Sequence, residues 1–343
     1  MSSNMSEQLA GGHSAPSSSS GYETQSTFDF MELPVELQAE IFQQMPSLKT
    51  AVALRLCCRQ LNEVYLKNEH KITAALCESL VAPFREFYSF LQRLKFPAGS
   101  VKFPPPLGWP DMTPAACADD FGKTPFAIDV LRHLPYINNN PDFPNNNEKQ
   151  LNSTNLDFRC NAVDYTNLRP EKLPGRQNEE LHTIECQENL DPGDENRISG
   201  LKHVVIVASG YHLCSVVLLL DTFSGRIFEE LVDCGHGARL PVGEYFASRM
   251  EKIRELRLMF INGFNPWHVG WDDATTTDFE VEYDPGPKDS EGEPAWDQDT
   301  CRTMERIGWV RHLYRKFGWP GSDWKKEECM QAIDDFTSRF PMR

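Results

Sequence analysis

The chain has 343 residues, 40% of them hydrophobic, and a formal net charge of −16 at neutral pH; that is enough for an ordinary domain plus a smaller one, globular over most of its length. The acidic balance excludes nucleic-acid binding by counterion release, which needs Lys and Arg gathered on one face, so the expected partner is a protein. No stretch approaches the roughly 18 uninterrupted apolar residues that span a bilayer, so no membrane partner is expected.

Residues 1–28 are rich in Ser, Gly and Gln and lack the basic and apolar regions of a secretory signal, which predicts a disordered leader. The ten cysteines form no C-x-x-C pair; without a signal they read as reduced thiols in a cytoplasmic or nuclear protein.

From about Phe28 to Phe96 apolar residues recur at helical spacing. Pro34 reads as the first residue of a helix to about Gln44, because proline at that position needs no amide bond and has its φ already set. Leu37, Ile41 and Met45 form the predicted inward stripe, with Glu36, Gln38 and Glu40 toward water. A second helix, Leu48 to Arg55, presents Leu48, Val52 and Leu54; a third, Cys57 to Leu66, presents Cys58, Leu61 and Tyr65. A further helical stretch, Lys71 to Leu94, is expected to break at Pro83, and its run Phe84, Phe87, Tyr88, Phe90 reads as core. The dense proline and glycine of 97–114, centred on Pro104-Pro105-Pro106, predicts a linker and a domain boundary.

Phe126 to Tyr136 is a short strand or helix, and Asn138 to Asn147 a loop. His203–Ala208, Leu213–Leu220 and Arg226–Val232 are short apolar runs separated by turns, which predicts an antiparallel β-meander. Pro241 to Phe260 returns to helical spacing with Phe246, Met250, Ile253 and Leu256 on one face, a helix laid over that sheet. Residues 271–300 carry eleven acidic side chains against Lys288 and read as a solvated loop without the spacing of a calcium site. Met304–Phe317 is a helix with Ile307, Val310, Leu313, Tyr314 and Phe317 inward, stopped by Gly318 and Pro320. Ser322 or Asp323 is the expected cap of a last helix carrying Cys329, Ile333 and Phe336.

Met31-Glu32-Leu33-Pro34-Val35-Glu36-Leu37, followed by Ile41, Leu48, Leu54, Cys57-Cys58-Arg59 and Leu61-Asn62, resembles the F-box: a Leu-Pro start, a helix with an Ile, a mid-box Leu, then Cys-Arg. The match covers about 35 residues, a tenth of the chain. What the resemblance implies is docking onto a Skp-type adaptor and through it a cullin-RING (SCF) ubiquitin ligase, in the ubiquitin-conjugation pathway. It implies a substrate-recognition adaptor, not an enzyme, without cofactor, presenting a protein target through its C-terminal part. The candidate docking residues are Leu33, Pro34, Leu37, Ile41, Leu48, Leu54 and Leu61, which either touch the adaptor or pack inside the unit. A unit of this size without disulfide or metal rarely buries enough apolar surface to stand alone, an independent reason to expect a partner surface. The segments Arg311-His312-Leu313-Tyr314, Gly318-Trp319-Pro320 and Lys325-Lys326-Glu327-Glu328-Cys329 resemble sequences that follow F-boxes in filamentous-fungal proteins.

The expected organisation is a leader (1–28), a three-helix F-box (29–70), a helical extension (71–96), a linker (97–114) and an α+β domain (115–343) whose meander is covered by helices. Two alternatives compete with the adaptor. One is a non-ligase interaction or structural α+β protein. The other is a zinc domain: a three-residue loop at Phe223-Ser224-Gly225 would set His212 opposite His236 and Cys214 opposite Cys234, on one face. Structural zinc pairs are normally spaced by two to four residues, whereas one residue separates each pair here, and a four-residue loop breaks the symmetry, so buried thiols without a metal are the preferred reading.

Overall fold

The computed structural model describes residues 30–94, 99–113, 122–137, 155–157, 160–166, 198–210, 216–231, 235–261, 265–268 and 299–339. The leader, the loop 138–147 and nearly all of the acidic segment 271–300 lie outside them.

After a 3-10 turn at Phe30–Glu32 come α1 (Val35–Gln43) and α2 (Leu48–Arg55). Pro34 caps α1 with its backbone. Ser47 caps α2 in a reciprocal box with Thr50, each side chain satisfying the other's backbone amide. The inward face of α1 is rotated from the predicted stripe: Gln38, Ala39 and Phe42 are buried, while Leu37 is 43% exposed. The Gln38 amide turns back to donate to Leu33 O at 2.9 Å, tying the preceding turn to the helix.

The predicted third helix and the extension are one helix, α3 (Arg59–Leu94), which runs through Pro83. Proline costs an interior helix one hydrogen bond and a steric clash. Leu80, Val81, Phe84 and Phe87, all buried around it, offset that cost. The proline- and glycine-rich segment 99–113 is packed rather than linking. Its strand β1 (Val101–Lys102) pairs with β2 (Tyr136–Ile137), and Val101 and Met112 are buried in the main core. Between these strands lies α4 (Pro125–His133), capped by Thr124 with Pro125 in its first turn.

The α+β fold is built on a six-stranded antiparallel sheet ordered β3-β4-β5-β6-β7-β8, consecutive in sequence. The strands are β3 (Asn155–Asp157), β4 (Cys160–Ala162), β5 (Val204–Gly210), β6 (Val216–Asp221), β7 (Arg226–Leu231) and β8 (Gly235–Pro241). Alternation in β5 sends Val205 and Val207 to one face and Val204 and Ile206 to the other. The first face joins the large core beneath α3 and α5 (Val242–Arg254), where Phe246 stacks on Phe87 at 4.8 Å and meets Phe84 edge-on at 4.6 Å. The second face, with Val217, Leu219 and Phe228, packs on Val163, Ile198 and Leu201.

The helix expected over 241–260 ends at Arg254, and Leu258–Ile261 forms β9, paired with β10 (Asn265–His268). The last helices are α6 (Asp299–Lys316) and α7 (Lys326–Arg339), with Ile307, Val310, Leu313, Tyr314, Cys329, Ile333 and Phe336 buried as predicted. The start of α7 lies beyond Ser322 and Asp323, because turns at Gly318 to Trp324 use those residues first.

Candidate docking surface

The N-terminal helices enclose a small core of their own: Ala39, Phe42, Ala51, Leu61, Val64, Tyr65, Ile72 and Leu76. Phe42 meets Tyr65 edge-on at 5.6 Å, and the Arg55 guanidinium lies over the Tyr65 ring at 4.7 Å. Burial is the first cause that pushes the Tyr65 phenol up, with Glu69 adding to it.

The seven predicted docking residues do not share one environment. Leu61 is 3% exposed and belongs to the small core, so it packs internally. Leu48 and Leu54 are half-buried against that core. Leu33 and Ile41 are also half-buried, whereas Pro34 and Leu37 face solvent. Positions 34, 37 and 41 follow helical spacing, so Pro34, Leu37 and Ile41 line one strip along α1. Within this helical unit three large hydrophobic residues outside the predicted set are also exposed: Val35, Leu66, and Leu56 at 71%. Leu56 follows the last turn of α2, where no periodic stripe could single it out.

This unit is joined to the main body at more than one place. The first turn of α2 meets the β6–β7 turn, where Lys49 N donates to Phe223 O at 2.8 Å. Gly225 (φ +72°) brings the turn so close that a Cβ there would stand 3.3 Å from Pro46 O and from the Leu80 side chain. That conformation favours glycine, and a side chain here would force its neighbours back by a few tenths of an ångström. Phe126 of α4 packs against both cores.

The same turn decides the zinc alternative's register. Asp221 pairs with Arg226, so the loop is Thr222–Gly225, and the three-residue loop that set His212 opposite His236 and Cys214 opposite Cys234 is absent. The chain then folds back, pairing His236 with Glu230 of β7. His212, Cys214, Cys234 and the His236 side chain lie outside the described residues. The longer loop is favoured because the Asp221 carboxylate accepts from Phe223 N at 3.0 Å and Ser224 N at 3.2 Å.

A cluster of side chains that could hold a metal ion, missed by sequence reading, stands where α4 crosses α3. Cys77 Sγ is 3.9 Å from His133 Nδ1, which is 3.6 Å from Asp129 Oδ1 and 2.8 Å from the backbone Asp129 O. Burial first, then Asp129 and Glu78, push the Cys77 thiol far up. A cleft of about 480 Å³ between α3 and α5 is lined by Pro83, Phe246, Met250, Glu86, Glu251 and Arg254 among others, with no His or Cys in its wall.

Among the described residues no helix is long and apolar enough to cross a membrane. Comparison of the chain with protein-family models, with curated proteins and with solved structures finds no match.

Proposed function

We propose that α1, α2 and the first turns of α3 form an F-box-type docking module, and that the chain is a non-catalytic adaptor. In this reading the module binds a Skp-type adaptor, and through it a cullin-RING ubiquitin ligase, while the α+β body presents a protein target. The observation that carries the reading is the apolar strip of exposed Pro34 and Leu37 and half-buried Ile41 on a helical unit that already has its own core. Side chains of this kind gain about 1.5–3 kcal/mol each when fully buried, so a strip left outside a completed core favours a partner surface over water. The order Leu33-Pro34, Ile41, Leu48, Leu54, Cys58-Arg59 adds the family resemblance. An adaptor of this type needs no catalytic group: it raises the local concentration of a target lysine near a charged conjugating enzyme.

The test is capture of Skp-type adaptor and cullin from extract by the intact chain and by Leu37→Asp. Because Leu37 is exposed, the variant keeps the fold, and its circular dichroism should match the parent. Capture by the intact chain with a loss of at least about tenfold in the variant, roughly 1.4 kcal/mol, supports the module. Failure of the intact chain to capture the adaptor refutes it.

A further inference from the structure

We propose that Cys77, Asp129 and His133 form a zinc site that clips α4 onto the middle of α3. Thiolate, imidazole and carboxylate are the side-chain ligands that zinc takes, and here one of each comes from two packed helices. Asp129 and His133 stand four apart on α4 and share a face, opposite Cys77 of α3. Ligand atoms around a tetrahedral zinc lie roughly 3.3–3.6 Å apart, from metal–ligand bonds of about 2.0–2.3 Å. The Cys77–His133 and His133–Asp129 separations are 3.9 and 3.6 Å, and all three ligand atoms fall within 4.8 Å of one another. Small rotations of half-buried side chains close that gap.

Burial and charge fit a cation as well. Cys77 is buried, while the Asp129 and His133 side chains are 35% and 31% exposed, so the thiol anchors the site inside and a water can complete the coordination from solvent. Asp129 and Glu78 both bear on the thiol, opposed by Arg85, which is itself ion-paired to Glu78. A divalent cation would pair directly with the Asp129 carboxylate and with the thiolate formed on uptake. On uptake Cys77 exchanges its S–H bond for an S–Zn bond and the proton leaves to solvent. Coordination at His133 Nδ1 replaces its donation to Asp129 O: the Nδ1 proton passes through solvent to Nε2, and the neutral imidazole binds as the Nε2–H tautomer.

The position gives the site a consequence. Leu76 belongs to the small core and Cys77, the next residue, to the large one. A metal here pins α4, whose Phe126 touches both cores, at the joint between the helical unit and the body. The inference does not depend on what that unit docks.

The test uses the full chain, stripped with chelator and then equilibrated with Zn²⁺ by dialysis, beside His133→Ala and Cys77→Ser. The expected result is one zinc equivalent that is lost in His133→Ala, with zinc raising the thermal midpoint of the parent only. With Co²⁺ the parent should show a thiolate-to-metal charge-transfer band that is missing from Cys77→Ser. Should Cys77→Ser fail to fold, His133→Ala, altered at a half-exposed position, still decides the question. Absence of uptake by the parent, or an equivalent and a cobalt band unchanged in His133→Ala, overturns the site.

Discussion

Truncating Phe42 to Ala should unfold the helical unit and leave the sheet standing. Phe42 is fully buried, and its ring packs edge-on against Tyr65 in a core of eight buried side chains. A Phe→Ala change in a core costs about 3–5 kcal/mol, of which the aromatic pair supplies about 0.5–1.5. Whole small domains are stable by only about 5–15 kcal/mol, so a loss of this size consumes most of what a unit this small can hold. Among the described residues the large core shares no buried residue with the small one; the links include α3, Phe126, the Lys49–Phe223 bond and the seat of Gly225 against Pro46. Hydrogen exchange read by mass spectrometry should therefore show protection lost in α1, α2 and α3 up to about Leu76. Protection in β5 to β7 and in α5 should stay near that of the parent. Equal loss in β6 would mean that the two cores unfold together, and unchanged exchange in α1 would mean that Phe42 is not what holds it.

Two further outcomes are expected. Tyr245 donates to Glu229 Oε1 at 2.7 Å beside the buried Arg249, and Tyr245→Phe removes that bond while keeping the ring. A buried hydrogen bond to a carboxylate is worth about 1.5–3 kcal/mol, so urea denaturation should show a loss in that range; a loss under about 0.5 kcal/mol would count against the network. Burial pushes the Lys123 ammonium, which donates to Leu201 O at 2.9 Å, down to about 8 from 10.5. Below pH 8 both states carry the proton and the folded state bears the full penalty; between pH 8 and 10.5 the unfolded chain binds more protons, so stability rises with pH through that window. Lys123→Met should remove that rise, and parallel stability curves for parent and variant over the window would contradict the burial of this ammonium.

Much of the body was legible because its signals are periodic. The runs that became β5, β6 and β7, the face Phe246, Met250, Ile253, and the inward sets of α6 and α7 all follow from side-chain alternation or helical spacing. What failed depends on partners distant in sequence. Pro83 reads as a break when only the lost hydrogen bond is counted, and the buried aromatic residues that outweigh it are contributed by both α3 and α5. The composition of 97–114 reads as a linker because Val101 and Met112 show their role only against β2 and the large core. On α1, Ala39 and Phe42 face the small core beside a buried Gln38 whose amide donates to a carbonyl, and Leu37 is left outside. The β6–β7 register hung on a single loop residue fixed by the Asp221 carboxylate. The cluster at the α3–α4 crossing was out of reach for the same reason: Asp129 and His133 have helical spacing, but Cys77 lies 56 positions from its imidazole partner.

The continuity of α3 bears on how the proposed adaptor would work. Its 36 residues span about 54 Å at 1.5 Å per residue, and one uninterrupted helix carries the chain from the small core into the large one. A flexible linker between a docking module and a target-binding body would spread the target over a volume set by the linker's length, lowering its effective concentration at the conjugating enzyme. A shared helix, backed by the seat of Gly225 against the α1–α2 loop, removes that spread instead. The gain holds only for a target whose lysine lies at the matching distance, because the same geometry that concentrates one lysine excludes others. On this reading the joint around Leu76 and Cys77 determines which lysines are reached. Loosening it should broaden the choice of lysine and slow transfer to the preferred one, without changing adaptor capture.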